Sequence, residues 1–147
     1  MDMWKCHAQH KPQPVPDEDS LVFWQGCYRN RLLIQQCDAC HAFRFPPSPV
    51  CPVCPHCMAA FATWREDPGE GHVVTFCVYH SELAGPAWRT DLPYVVAVIQ
   101  LAFSGIKILS NVLCEQVELV HIGMAVRMIF EPISGDVCLP KFVPLLT

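Results

Sequence analysis

Cysteine residues with the spacing of a metal site stand in the first half of the chain. Cys37 and Cys40 form one C-x2-C pair, and Cys51, Cys54 and Cys57 follow at intervals of three residues. Two such pairs, separated by a loop of this length, provide the tetrahedral thiolate ligands of a zinc ribbon. Disulfides fit less well, because closely spaced pairs suit a metal and no secretory signal is found at the start of the sequence. The spacing therefore predicts a structural zinc ion.

The three downstream cysteines offer more than one second ligand pair. In a zinc knuckle, the residue after the second cysteine often has a positive φ. Pro55 is held at a φ of about −65° and has no N–H, so it is a poor follower for a Cys51/Cys54 pair, whereas Met58 can follow Cys54/Cys57. The predicted zinc ligands are Cys37, Cys40, Cys54 and Cys57, with Cys51 as an alternate ligand.

The composition indicates a packed core and a surface with few charges. Of the 147 residues, 52% are hydrophobic and 16% charged. A partner that covers part of the apolar surface would account for this balance. The net charge is −4, and no block of basic residues is present. These features argue against sequence-independent binding to nucleic acid, which depends on neutralising phosphates.

No apolar run approaches the roughly 18 residues of a membrane span. The longest candidate, residues 94–103, is interrupted by Gln100. Five cysteines outside the cluster are expected to be small buried thiols, as is usual in a reducing compartment. We therefore expect a soluble, cytoplasmic protein without a membrane segment.

Three segments are expected along the chain. Residues 1–20 are polar and rich in proline, which predicts a flexible tail. Residues 21–66 are expected to hold an N-terminal helix, from about Leu21 to Arg29, and the zinc ribbon. Short strands at 32–36 and 41–45 flank the first cysteine pair. The ribbon core is small, so the metal is expected to supply on the order of 10 kcal/mol of its folding free energy.

Residues 67–147 have a sequence pattern that is typical of a β domain. β-branched and aromatic residues alternate along residues 72–80, and residues 93–103 are a longer apolar strand. Ser104-Gly105 is typical of a hairpin turn that pairs this strand with residues 105–113. Binding loops are expected at 81–92 and 133–140. Five strands with a bent first hairpin predict a closed barrel of the OB type. The predicted strands are 72–80, 93–103, 105–113, 123–132 and 141–146.

An ordered set of short motifs runs from residue 23 to residue 146. The set comprises Phe23-Trp24-Gln25-Gly26, Cys37-x2-Cys40, Pro46-Pro47, the Cys-Pro-x-Cys knuckle, Asp91-Leu92-Pro93-Tyr94-Val95-Val96-Ala97, Gly123-Met124-x-Val126 and Leu139-Pro140-x-Phe142. In this order the chain resembles a family long described as a domain of unknown function. Its members join a rubredoxin-like zinc ribbon to an OB-fold and accompany thiolase-like enzymes.

The resemblance implies a mainly β protein: an N-terminal helix and a rubredoxin-like zinc ribbon followed by a five-stranded OB-fold barrel. It implies a non-catalytic accessory subunit that binds a thiolase-like or ketosynthase-like enzyme in a hetero-oligomer. The chemistry implied for that enzyme is acyl-CoA condensation, or retro-aldol or thiolytic C–C cleavage. A coenzyme A thioester would be shared with the partner. The chain departs from the family in its extra ribbon cysteine and in residues 102–105, where relatives often carry acidic residues before the glycine.

Two other functions fit the sequence less well. An OB barrel binds single-stranded nucleic acid through aromatic platforms in a basic groove. The candidate platforms are Tyr79, Trp88, Tyr94 and Phe103. No cluster of lysine or arginine accompanies them, so we favour their role as core or partner-interface residues.

The second alternative is an enzyme in its own right. Its candidate acid, base and thiol groups are His72, His80, Asp91, Cys77 and Cys114. No recognised motif pairs a nucleophile with a base among them, so no catalytic residue is predicted. Arg44, Arg89 and Lys107 are basic residues that could meet the phosphates of coenzyme A.

Overall fold

The computed structural model describes residues 11–53 and 61–145, which form one helix, a small sheet and a barrel. Two 3-10 helices, Pro86–Asp91 and Val117–Leu119, lie in barrel loops. The helix is α1, Leu21–Tyr28. The strands are β1 Leu32–Cys37, β2 Phe43–Arg44, β3 Ala62–Asp67, β4 Glu70–Tyr79, β5 Tyr94–Leu101, β6 Lys107–Val112, β7 Ala125–Ser134 and β8 Val137–Pro144.

Helix α1 ends one residue before the predicted boundary and packs through a small, fully buried face. Phe23, Gly26 and Cys27 are its buried residues. A side chain at Gly26 would place its Cβ 2.8 Å from the carbonyl oxygen of Arg31 and 3.0 Å from the side chain of Leu33. Glycine therefore allows the helix to lie directly against the start of β1.

The ribbon sheet has the strand order β2-β1-β3. Strand β3 was not predicted, yet it pairs with β1 over six positions, from Leu32 opposite Asp67 to Cys37 opposite Ala62. Strand β2 is shorter than predicted and pairs only through Phe43 and Arg44. The first cysteine pair thus follows a central strand that is held on both sides, which fixes its position.

The barrel is closed in the order β4-β5-β6-β8-β7. Strand β4 shifts register between Val73 and Thr75. A β-bulge of this kind bends a strand and lets it serve two neighbours, here β5 and β7. A Cβ at Gly71 would collide with the backbone of Gln100, so the bend also requires a glycine. The mainly β fold with a helix, a ribbon region and a five-stranded barrel is confirmed.

The predicted loop at 133–140 was wrong, because β7 and β8 form a long hairpin around Gly135. Pro132 lies in β7 and Pro140 in β8, and in the sequence alone both prolines indicate a loop instead of a strand. Each proline lies on a strand edge where no N–H is needed, since β7 pairs with β4 only at 125–127 and β8 pairs with β6 only at Phe142. Edge positions tolerate proline for this reason.

The barrel core is built by alternation along β5, where Val95, Ala97, Ile99 and Leu101 point inward. Phe142 of β8 is also fully buried there. Alternate side chains of a strand point to opposite faces, although the sequence here is a nearly continuous apolar run and not an alternation of apolar and polar residues. The same hydrophobic cluster includes Phe23 and Cys27 of α1 and Leu32 and Ile34 of β1, so it joins the helix, the ribbon sheet and the barrel.

Two further contacts join the ribbon to the barrel. The carboxylate of Asp67 accepts hydrogen bonds from the backbone N–H of Gly69 at 2.8 Å and of Ser104 at 3.2 Å. The rings of Phe43 and Phe103 meet with their centroids 5.7 Å apart. The β3–β4 turn is therefore anchored on the β5–β6 turn. Among the described residues, the only α-helix is far too short to cross a membrane.

Buried and exposed cysteines are expected to differ in their reactivity toward alkylating reagents. Burial, and to a lesser extent the nearby Cys138, raises the pKa of the Cys27 thiol to about 12. At pH 8 roughly one molecule in 10,000 then carries the reactive thiolate. We expect Cys27 to resist iodoacetamide in the folded protein, whereas Cys77, which is exposed on β4, is alkylated. Peptide mass spectrometry measures both rates, and equal labelling of the two before unfolding would contradict the burial of Cys27.

Candidate metal centre

The first cysteine pair adopts the backbone geometry of a zinc knuckle. The N–H of Cys37 donates to the carbonyl of Ala42 at 2.9 Å, and the N–H of His41 donates to the carbonyl of Cys37 at 2.9 Å. His41 has a φ of +59°. A positive φ directly after Cys40 turns the chain back, so that both sulfurs face the same side.

Three sulfur atoms converge beside this knuckle. The Sγ atoms of Cys37, Cys40 and Cys51 all lie within 4.8 Å of one another, and those of Cys40 and Cys51 are 3.6 Å apart. A disulfide needs about 2.05 Å. Tetrahedral zinc with Zn–S bonds of about 2.3 Å separates its sulfurs by about 3.8 Å. The cluster therefore has the spacing and the chemistry of a zinc site.

Cys51, given only as an alternate ligand, is thus brought to the first pair by the structure. Cys54 and Cys57, the other two predicted ligands, lie outside the described residues, as does Pro55, on which the choice between pairs was argued. The prediction for those two positions stays a prediction.

A buried glutamine positions the loop that carries Cys51. The Oε1 atom of Gln35 on β1 accepts the N–H of Ser48 at 2.9 Å and the Nε–H of Arg44 at 2.9 Å. The Ser48 hydroxyl in turn donates to the carbonyl of Val50 at 3.1 Å. Gln35 is two residues before Cys37, and Val50 is one residue before Cys51, so these hydrogen bonds connect the backbone next to both cysteines. No role was predicted for Gln35, whose only signal in the sequence is its place in the polar pair Gln35-Gln36 at the end of an apolar run.

The three basic residues considered for coenzyme A phosphates are not grouped. Arg44 is 4% exposed and bound to Gln35, so it does not face a ligand in solvent. Arg89 is held by the carboxylate of Glu82 at 2.5 and 2.8 Å, and this pair lowers the pKa of Glu82. Lys107 is exposed at the start of β6. The structure therefore does not bring them together as an anion site.

A groove of about 440 Å³ runs along the barrel beside the single bridge between β6 and β8, and a second of about 460 Å³ adjoins it. Lys141, whose side chain is 11% exposed, pairs there with Glu131. Lys11 pairs with Asp91 and lies 5.0 Å from the ring centroid of Trp88. Each of these lysines is matched by a carboxylate, so they supply no free positive charge for a phosphate backbone.

Three of the four candidate aromatic platforms form one group beside the groove. The rings of Tyr79 and Tyr94 stack, with their centroids 5.0 Å apart and an angle of 6° between their planes. The ring centroid of Trp88 lies 5.5 Å from that of Tyr94. Phe103 is elsewhere, packed on Phe43. The basic residues beside this group, Lys11 and Arg89, are both paired with carboxylates.

The candidate acid, base and thiol groups occupy separate surroundings. Asp91 is paired with Lys11. The thiol of Cys114 donates a hydrogen bond to the carbonyl oxygen of Gln116 at 3.1 Å. Cys77 faces outward on β4, His72 lies near the start of that strand, and His80 follows its end.

Two family models match this chain, one over the ribbon and one over the barrel. Residues 24–60 match the family model for the rubredoxin-like zinc ribbon domain of ChsH2, and residues 64–131 match the model for its C-terminal OB-fold domain. A curated protein of Thermomonospora curvata, named probable enoyl-CoA hydratase alpha subunit, is 31% identical over 136 residues. That match covers 91% of this chain, which spans 40% of the relative's length.

Solved structures show the same architecture. A chain of the structure described as the Ltp2-ChsH2(DUF35) aldolase is 30% identical, with a TM-score of 0.77 over 90% of this chain and 98% of that one. A DUF35-family protein of unknown function from Sulfolobus solfataricus is 14% identical, with a TM-score of 0.62 and 96% of both chains covered, and so shares the fold. The chain belongs to the ChsH2 family, whose members join a rubredoxin-like zinc ribbon to a C-terminal OB-fold domain.

Proposed function

We propose that this protein is a non-catalytic accessory subunit of a thiolase-like or ketosynthase-like enzyme. The observation that carries the proposal is the match to nearly the whole of a chain in the Ltp2-ChsH2(DUF35) aldolase structure, at 30% identity. The curated relative is likewise named as a subunit. The composition supports the same role, since few charges and many apolar residues suit a chain that is partly covered by a partner.

The zinc ion is proposed to be structural. Cys37, Cys40 and Cys51 have the sulfur spacing of three zinc ligands, and either Cys54 or Cys57 would complete four thiolates. Four thiolates close the coordination sphere and leave no position for a substrate. Zinc bound in this way would fix the knuckle and the loop after β2 against each other, so the ribbon presents a rigid surface.

Replacement of Cys51 tests the ligand set. We expect Cys51→Ser to lower zinc content well below one ion per chain under mild chelation, because a hydroxyl is a much poorer zinc ligand than a thiolate. Competition with a chromogenic chelator measures the affinity, and Cys114→Ser is the matched control at a thiol of the barrel. Wild-type zinc affinity in Cys51→Ser would instead support the pair Cys54 and Cys57.

The acyl group handled by the assembly is proposed to be a coenzyme A thioester shared with the partner enzyme. The resemblance supports this assignment, and so does the name of the hydratase relative. The joined grooves beside β6 and β8 have partly apolar walls, which suit an acyl chain. The condensation or cleavage step itself is assigned to the partner. The assembly is proposed to be cytoplasmic, since a reducing compartment would keep the buried thiols Cys27 and Cys138 reduced.

Affinity purification of the tagged chain from its native cells tests the proposal. Mass spectrometry is expected to identify a thiolase-like or ketosynthase-like enzyme in a fixed ratio to the chain. Purification of the chain alone, or with nucleic acid that is released by salt, would contradict the proposal and favour a single-strand-binding OB fold.

A further inference from the structure

Strand β5 is apolar on the side that faces away from the barrel. Its sequence, YVVAVIQL, places Val95, Ala97, Ile99 and Leu101 inside. The intervening residues are also uncharged, and three of the four are apolar or aromatic. A near-continuous apolar run is typical of a strand that is covered on both faces. In the described part of the chain, the extensive contacts of β5 are with its sheet neighbours β4 and β6, and Trp88 of the 3-10 helix Pro86–Asp91 lies against Tyr94 at one end.

The neighbouring strands extend this surface. Cys77 and Tyr79 of β4 lie opposite Val96 and Tyr94, and Leu109 of β6 lies opposite Val98. All of them are on the outward side of their strands, and Leu109 is 69% exposed. We call this surface the outer face. Its members are Cys77, Tyr79, Tyr94, Val96, Val98 and Leu109.

The outer face has the composition of a protein interface. None of its six members is charged, and the nearest charged side chain on the same side of the sheet is Lys107, which lies opposite Gln100 at the rim. The stacked Tyr79 and Tyr94 lie at the other end, with Trp88 beside them. Interface centres are depleted of charge and enriched in aromatic residues, which act as anchors, while the rim is polar. Here Thr75 and Asn111 lie on the same side of the sheet at the margins.

We infer that the outer face is the docking surface for the enzyme subunit of the proposed assembly. The inference rests on the proposed function and specifies the surface that it uses. A partner that fits must present an uncharged, apolar area, with hydrogen-bonding groups for the tyrosine hydroxyls. Because Tyr94 also lines the groove beside β6, a partner seated here would adjoin that groove.

The size of the outer face favours a larger enzyme over a second copy of this chain. Three strands at about 4.8 Å and five residues at about 3.4 Å give a footprint of roughly 250 Å². A stable interface needs about 800 Å² per partner. Two convex barrel faces would meet over little more than the footprint, whereas a larger, concave surface can also contact the 81–92 loop at Trp88.

The test changes one exposed residue of the outer face and one matched residue elsewhere. Leu109 and Ile122 are both 69% exposed, and Ile122 lies in the loop before β7. We expect Leu109→Lys to weaken binding of the co-purified enzyme at least about 30-fold, as for an interface hot spot, and Ile122→Lys to leave it unchanged. Thr75→Lys is a second variant at an exposed strand position that readily accepts lysine.

Binding is measured by biolayer interferometry with the separately purified enzyme, and zinc content and melting temperature verify each fold. Tight binding by folded Leu109→Lys and Thr75→Lys would overturn the docking surface while the proposed function stands. Failure of the wild-type chain to bind any thiolase-like or ketosynthase-like enzyme would overturn both. A wild-type dimer that Leu109→Lys converts to a monomer would assign the surface to a second copy instead.

Discussion

Cys37→Ser is expected to release zinc and unfold the ribbon. Cys37 is fully buried at the end of β1, and its sulfur belongs to the three-sulfur cluster. Structural zinc contributes on the order of 10 kcal/mol to small ribbons. A whole domain is stable by only about 5–15 kcal/mol. Loss of the ion therefore removes most of the free energy that keeps the ribbon folded.

Zinc analysis and circular dichroism measure this effect, and a chelator applied to the wild-type chain should reproduce it. Cys77→Ser is the control, because Cys77 is an exposed thiol on β4. Since the ribbon packs on the barrel through Phe43 and Phe103, the barrel should also melt at a lower temperature. A Cys37→Ser protein with wild-type zinc content and melting temperature would disprove the structural role of the metal.

Phe142→Ala is expected to lower the free energy of unfolding by about 3–5 kcal/mol. The ring is fully buried in the barrel core. Its residue pairs with Met128 of β7 and makes the single bridge to Val112 of β6. The cavity left by the ring would thus lie where the barrel is closed by the fewest backbone contacts.

Urea unfolding measures this loss, with Phe61→Ala as a control of the same residue type that is 86% exposed. Zinc content should be unchanged in both variants, because neither residue is a ligand. A Phe142→Ala protein as stable as Phe61→Ala would show that the ring is not part of the barrel core.

Most barrel strands were predictable because each carries its own signal. The apolar run from Tyr94 to Leu101 predicts a strand, whereas its inner face is identified only by the closed barrel. Strand β3 was missed because Thr63, Arg65 and Glu66 are polar and face solvent. Its strand conformation comes from pairing with β1, a contact about 30 residues away in sequence that no local pattern reveals.

The end of the β7–β8 hairpin was missed for the opposite reason. Pro132 and Pro140 are strong local signals for a loop. Their actual environment is an unpaired strand edge, which depends on where β4 and β6 stop pairing. Tertiary context thus decided the outcome, and the same proline in a central strand would have broken it.

The metal site shows a similar division between local and long-range information. The spacing of Cys37 and Cys40 predicts the first knuckle, and the positive φ of His41 agrees with it. The position of Cys51 depends on Gln35, which holds the loop after β2 by a hydrogen bond to Ser48. The turn preference of Pro55 carries no information about that contact, since the contact joins residues 13 positions apart.

Native mass spectrometry of the tagged chain, purified gently from its own cells, shows whether the chain is a zinc-stabilised accessory subunit. We expect one particle that contains a thiolase-like or ketosynthase-like enzyme together with this chain, and about one zinc ion per chain. A chain that is found only by itself, or that carries no metal within an intact complex, would disprove this role.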